Sequence, residues 1–234
     1  HASEATIVRT CKKLGYQGYY HLKIALAKEV INPDNSYPEN TDFSDITSLA
    51  TFLLKKQAED LIQSTQFFNA DVLESILKLL ANCDTIFFFA AGNSNPLAVY
   101  SAYKFSQLGL KTVVHVSPEM QINAAYSMGK RDLAIGISNS GSTNLMVDIF
   151  KVVKERGAKS VCITNYIKSP LSKLSTHQLN TAVSDKIFFE AFDSTRVPAM
   201  GVIDMLVLLF MYKNKAHYEK YRTREEFLGS RFKG

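Results

Sequence analysis

Residues 133–157 read "LAIGISNSGSTNLMVDIFKVVKERG". The opening run, Leu133 to Ile137, is apolar without alternation, as in a strand covered on both faces. From Leu145 to Arg156 the pattern is helical, and Gly157 stops it. Between strand and helix lie Ser138, Asn139, Ser140, Gly141, Ser142 and Thr143. The hydroxyls of Ser138, Ser140 and Thr143 can donate to phosphate oxygens, and Gly141 permits a turn that a Cβ would obstruct. The helix beginning near Asn144 supplies the positive end of its dipole. The segment therefore reads as one strand-loop-helix unit with an anion cradle at the strand's carboxyl end.

Working outward, the same alternation continues on both sides. "DTIFFFAA" (84–91), a helix over 96–108, "KTVVHV" (111–116), a helix over 119–128 and "KSVCIT" (159–164) complete the pattern, with "HQLNTAV" (177–183) as a fifth strand. Short apolar strands separated by helices predict an α/β fold with a five-stranded parallel sheet covered on both faces. Val197 to Tyr212 reads as a long buried helix, and two amphipathic helices, over 44–65 and 69–83, precede the first strand. Before them "NPDNSYPENTD" (32–42) has two prolines and no apolar periodicity, which makes it a linker between a small piece, 1–31, and a large domain, 43–234.

Ligands of open parallel sheets sit beyond the carboxyl ends of the strands. A second polar loop, "AAGNSNP" (90–96), lies at such an end. Gly92 lets the backbone approach a ligand, Asn93 and Ser94 offer polar side chains, and Asn95 followed by Pro96 fits an N-cap with proline at the first helical position. Other phosphate sites fit poorly. There is no G-x-x-x-x-G-K-[ST], the first loop lacks G-x-G-x-x-G, and "KTVVHVS" ends without the acidic residue that would hold a ribose.

The formal charge of +5 is concentrated at the two ends of the chain. Arg9, Lys12, Lys13, Lys23 and Lys28 outnumber Glu4 and Glu29 in residues 1–30. Lys213, Lys215, Lys220, Arg222, Arg224, Arg231 and Lys233 outnumber Glu219, Glu225 and Glu226 in 211–234. That distribution fits a terminal module that meets nucleic acid and a core that binds something small. The three cysteines are far apart and the five histidines scattered. Reduced thiols in a cytoplasmic protein are expected, with no metal site and no cofactor. The longest apolar run, "GVIDMLVLLFMY" from Gly201, is short for a membrane span and contains Asp204. The first residues lack a basic stretch followed by an apolar one, so no membrane or secretory destination is expected.

"AAGNSN", "AIGISNSGST", "GAKSVCITNYIKSPLSKL" and "DSTRVPAMGVIDML" resemble the sugar isomerase (SIS) domain, specifically that of RpiR-type transcriptional regulators. The N-terminal "SEATIVRTCKKLGYQGYYHLKIALAKEV" resembles the second half of that family's helix-turn-helix domain. The resemblance implies a three-layer α/β/α SIS fold preceded by a truncated all-α helix-turn-helix remnant. It also implies a bacterial regulator of sugar metabolism that senses a phosphosugar, binds operator DNA and works as a homodimer or homotetramer. A recognition helix over about 3–14 is expected, capped by Ser3 and ended by Gly15, with Ile7, Val8, Cys11 and Leu14 on its apolar side. Ser3, Glu4, Thr6, Arg9 and Lys13 lie on the side that would face DNA. The resemblance places His1 inside the motif, so a fragment of a longer protein is expected, one that binds operator DNA poorly by itself.

For the effector, the phosphate is expected against Ser138 to Thr143 and the sugar against Gly92, Asn93, Ser94 and Glu190. The competing reading is a sugar-phosphate isomerase, for which Glu190 is the first candidate base and His177 the second.

Overall fold

The computed structural model describes residues 4–15, 22, 45–183 and 196–232. The chain divides into two units, His1–Ala50 and Thr51–Gly234. In the first, helix α1 spans Glu4–Lys13. Gly15, at φ +86°, ends it, its N–H donating to the Lys12 carbonyl at 3.1 Å. Ser3 and the side chains of Glu4 and Ile7 lie outside the described residues, as does the linker. Cys11 is buried, but Val8 and Leu14 are 40% and 61% exposed. Helical spacing marks the side that can be buried; burial itself needs a covering surface, which those two positions lack here. Thr6, Arg9 and Lys13 are exposed.

Helix α2 spans Ile46–Ser64, and the division between the units falls inside it. Asp45 caps its start, accepting the Thr47 N–H at 3.1 Å and the Ser48 N–H at 3.0 Å. These bonds hold the Asp45 carboxyl below its ordinary pKa, with the Ser48 hydroxyl bond contributing most. Helix α3 (Ala70–Asn82) is capped in the same way by Asn69, whose Oδ1 accepts the N–H groups of Asp71 and Val72.

The rest of the second unit is the expected alternation. Strand β1 (Ile86–Ala90) leads to α4 (Asn95–Gln107), β2 (Thr112–Val114) to α5 (Pro118–Ser127), and β3 (Leu133–Ile137) to α6 (Asn144–Glu155). Strand β4 (Lys159–Thr164) is followed by the short α7 (Pro170–Leu174), then by β5 (His177–Asn180), α8 (Arg196–Lys213) and α9 (Lys215–Phe232). The five strands pair in parallel in the order β2-β1-β3-β4-β5. The fifth strand stops at Asn180, shorter than the stretch read from the sequence. Beyond Tyr212 the sequence reading has only a basic stretch, whereas Lys215–Phe232 forms α9. Exposed ion pairs such as Arg222–Glu219 at 2.8 Å decorate α9, and His217 Nδ1 meets the Leu108 carbonyl at 2.7 Å.

Alternate strand residues serve two cores. Ile86, Phe88 and Ala90 face α3, α4 and α8 with Leu80, Phe105, Leu206 and Phe210. Phe87 and Phe89 face α5, α6 and α7 with Ala125, Phe150 and Leu171. This explains the unbroken apolar runs: a strand buried on both sides has no polar face. Gly136 in β3 is required by packing. A Cβ there would come 2.6 Å from Phe150 Cε2 and 3.2 Å from Met146 Cε, so its absence lets α6 lie close to the sheet.

Candidate functional site

The strand order reverses at β1, whose chain proceeds outward to β2 on one side while β3 lies on the other. Both polar loops leave the sheet at this switch point. A small cleft lies there, lined by Ser94, Leu97, Ile137, Asn139, Ile163, Thr164, Thr181 and Ala199. Each of these described lining residues is uncharged.

In the first loop Gly92–Ser94 forms a 3-10 turn that runs directly into α4. Asn95 is therefore the first helical residue and Ser94 the N-cap, one position earlier than the sequence indicated, with Pro96 inside the first turn. A residue that caps by its side chain is usually extended, but Ser94 has φ −86° and ψ −12° and makes no cap bond. Gly92, at φ +55°, starts the turn. Gly92 and Asn93 are exposed and Ser94 is half-buried. Asn95 Oδ1 is buried with no hydrogen-bond partner among the described residues.

The second loop is built into the sheet. Ser138 N–H donates to the Ile163 carbonyl at 3.1 Å, prolonging the β3–β4 ladder. The Asn139 carbonyl accepts both the Asn165 N–H and the Thr164 hydroxyl, each at 3.0 Å. Gly141 closes the turn with its N–H on the Ser138 carbonyl at 3.1 Å and has φ +58°. Its carbonyl accepts the Leu171 N–H at 2.9 Å. Ser140 Oγ accepts the Ser142 N–H at 3.3 Å, a bond that leaves the hydroxyl hydrogen to point elsewhere. Thr143 is the N-cap of α6 and makes no side-chain cap bond. The first N–H groups of α6, like those of α4, have no intrahelical acceptor by the geometry of helix ends. Ser138 and Gly141 are buried, Asn139, Ser140 and Ser142 half-buried, and Thr143 exposed.

The structure thus brings Ser94 and Asn139 of the two loops into one cleft; the other expected loop residues are not among those that line it. Thr164, Thr181, Leu97 and Ala199 also line it, although the sequence reading did not include them. Thr164 is the last residue of β4, and strand order, which no local sequence pattern carries, sets it beside the β3 loop. Glu190 lies outside the described residues. His177 opens β5 opposite Val161, while the β4 residues that line the cleft are Ile163 and Thr164, about 7–10 Å along the strand. Burial and then the nearby Lys159 lower the His177 pKa. It stands toward the amino end of the sheet and is not among the residues that line this cleft. The described residues contain no cluster of His, Cys, Asp and Glu able to hold a metal. All three cysteines are free, and burial pushes the Cys83 and Cys162 thiols up to about 11. No single described helix is long and apolar enough to cross a membrane.

A parallel sheet in this order, with helices on both faces and two polar loops at the switch point, fits the SIS domain. The SIS family model matches residues 79–209, and that of the helix-turn-helix domain of the rpiR family matches residues 1–33. The chain belongs to the RpiR-type family of helix-turn-helix transcriptional regulators with an SIS domain. It is 30% identical over 224 residues to an HTH-type transcriptional regulator of Caldanaerobacter subterraneus subsp. tengcongensis, covering 94% of this chain and 78% of that one. A regulator of Clostridium perfringens is 30% identical over 206 residues, covering 87% and 74%. The fold matches that of the Vibrio vulnificus NanR protein, solved in complex with ManNAc-6P. The TM-score is 0.78 at 23% identity, over 100% of this chain and 83% of that one.

Proposed function

We propose that this protein is a bacterial transcriptional regulator of sugar metabolism whose SIS domain senses a phosphosugar and whose N-terminal helix-turn-helix binds operator DNA. The observation that carries the reading is the convergence of two glycine-turned, polar loops at the switch point, each running into a helix N-terminus. In this reading the phosphate sits against Ser138 to Thr143 and the α6 N-terminus. The sugar faces Gly92, Asn93, Ser94 and Glu190, with Thr164 and Thr181 as further hydroxyls. The ManNAc-6P bound by NanR is the first ligand to try. Exposed Thr6, Arg9 and Lys13 of α1 face DNA in this reading, together with Ser3 and Glu4 as the sequence reading has them. A homodimer or homotetramer in the cytoplasm supplies paired heads for a palindromic operator. Binding regulates only if the ligand prefers one arrangement of the protein, since equal affinity for both shifts nothing.

Sensing without turnover fits relatives named as transcriptional regulators. Proton transfer between sugar carbons needs a positioned base, and Glu190 is the residue to test for one.

The experiment is a thermal-shift panel of sugar phosphates and their unphosphorylated parents, with each sample assayed for isomerised product. A ligand at about 100 times its Kd stabilises by about 2.7 kcal/mol. Stabilisation by one phosphosugar, absent with its parent sugar and without product, supports the sensor. Product that disappears in Glu190→Gln transfers the chain to the isomerases. Replacing Ser140 with leucine should abolish the ligand-induced shift while leaving the unliganded melting temperature within about 2 °C, as expected of a change at a half-buried loop position. A normal ligand response in that variant refutes the cradle.

A further inference from the structure

Strand β1 is paired unequally on its two sides. Toward β3 the ladder runs from Ile86 opposite Leu133 to Ala90 opposite Ile137, but toward β2 it stops at Phe88 opposite Val114. The main-chain groups of Ala90 on the β2 side are left without a strand. Gln121 of α5 fills that place. It is 1% exposed; its Oε1 accepts the Ala90 N–H at 3.2 Å, and its Nε2 donates to the Ala90 carbonyl at 2.9 Å. The same Nε2 lies 3.4 Å from the Val116 carbonyl, where the chain leaves β2. One carboxamide thus offers the acceptor and the donor that a neighbouring strand would offer.

Ala90 is the last strand residue before the first loop. Ala91 follows, its carbonyl accepting the Ser94 N–H at 3.2 Å to close the Gly92–Ser94 turn. Ser94 lines the cleft. The turn therefore hangs from the end of β1, which is paired with β3 on one side and held by Gln121 on the other. The second loop leaves that same strand, β3.

We propose that Gln121 is a positioning residue for the ligand cleft: its amide stands in for a missing strand and holds the Gly92–Ser94 turn at the spacing from the Ser138–Thr143 loop that a phosphosugar requires. The ligand part of this proposal rests on the phosphosugar reading; the local effect on the turn does not. A carboxamide is the neutral side chain that donates and accepts in one plane. Methionine at 121 keeps the volume and loses both bonds, glutamate keeps the acceptor and loses the donor, and asparagine keeps the amide but falls one methylene short.

The test is hydrogen exchange on the full chain without ligand, for wild type, Gln121→Met, Gln121→Glu and Gln121→Asn. Calorimetric titrations of ManNAc-6P and glucose 6-phosphate accompany it. Exchange over residues 90–95 should accelerate about tenfold or more in each variant, and exchange over 138–147 should change less than about twofold. Whichever phosphosugar binds the wild type should bind the variants about tenfold more weakly, with Gln121→Asn the mildest. Unchanged exchange over 90–95, or equal acceleration of both loops, overturns the proposal in favour of a purely structural role. Loss of folded protein in all three variants overturns it equally, because a positioning residue leaves the fold intact. If neither phosphosugar binds the wild type, the ligand reading fails for these sugars while the exchange data still decide what Gln121 does.

Discussion

Gly141→Ala perturbs the cradle at its tightest point. Gly141 has φ +58°, and an added Cβ would overlap Ser169 Oγ, lie 2.5 Å from Ser169 Cβ and lie 2.9 Å from Thr164 Oγ1. Two costs follow. The left-handed backbone costs a non-glycine residue about 1–2 kcal/mol, and overpacking a close-packed site costs about 1–3 kcal/mol. Ser169 is poorly placed to retreat, because its Oγ caps α7 by accepting the Ser172 N–H at 3.2 Å. The Leu171 N–H next to it is bonded to the Gly141 carbonyl. The combined loss should be about 2–5 kcal/mol, which at roughly 2–4 °C per kcal/mol lowers the melting temperature by about 4–20 °C. Gly92→Ala is the control, with nearly the same φ of +55° and nothing within 4 Å of the added Cβ. It should cost the backbone part alone, about 1–2 kcal/mol. The packing part should be recovered by Ser169→Gly in the Gly141→Ala background, since glycine replaces serine at an N-cap at a loss of only a few tenths of a kcal/mol. Urea denaturation of the four proteins measures each step. Equal losses in Gly141→Ala and Gly92→Ala, or no recovery with Ser169→Gly, would refute the account of the buttressed turn.

Gly136→Ala should destabilise by about 1–3 kcal/mol through its approach to Phe150, and Phe150→Leu should suppress part of that loss in a double-mutant cycle; simple additivity would show that the two positions do not press on each other. The Ser64 hydroxyl is buried, accepts the Ala182 N–H at 2.8 Å and donates to the Asp60 carbonyl at 2.8 Å. Ser64→Ala should therefore cost about 1–3 kcal/mol in chemical denaturation, whereas an exposed serine of α2 such as Ser48, tied only to its cap, should cost less. Tyr100 donates to Asp204 at 2.6 Å, and that bond, followed by burial, raises its pKa to about 12 from an ordinary 10. A folded-state pKa above the unfolded one means stabilisation that is complete below pH 10 and lost as pH rises through about 12. Unfolding free energies between pH 9 and 11.5 should fall more steeply for the wild type than for Tyr100→Phe, and parallel curves would remove Tyr100 from the explanation.

Much of the architecture was legible because its signals are local. "TIFFF", "LAIGI" and "SVCIT" are short apolar runs, and such runs between helical stretches have few solutions other than a covered parallel sheet. The two polar loops were legible as glycine turns before helices, and both glycines do take positive φ. Three features were not legible. Helix α9 is rich in charge, and its place beside α4 depends on His217 reaching a carbonyl 109 residues away in sequence. Thr164 and Thr181 belong to the cleft only because β4 and β5 end beside the β3 loop, a consequence of strand order. Gln121 reads as one polar residue in a helix until β2 is seen to stop two residues short of the end of β1.

The sequence by itself determined which segments become strands, helices and turns, where the chain bends away from the sheet, and where its charge accumulates, because these follow from side-chain periodicity and local backbone preference. Only the tertiary structure decided that the loops after β1 and β3 face one cleft, that Ser169 and Thr164 buttress Gly141, that His177 stands toward the amino end of the sheet, and that one glutamine completes a strand. Those relations join residues tens of positions apart. They are set by the order in which strands pair and by which side chains then come within hydrogen-bonding distance, neither of which a local pattern carries.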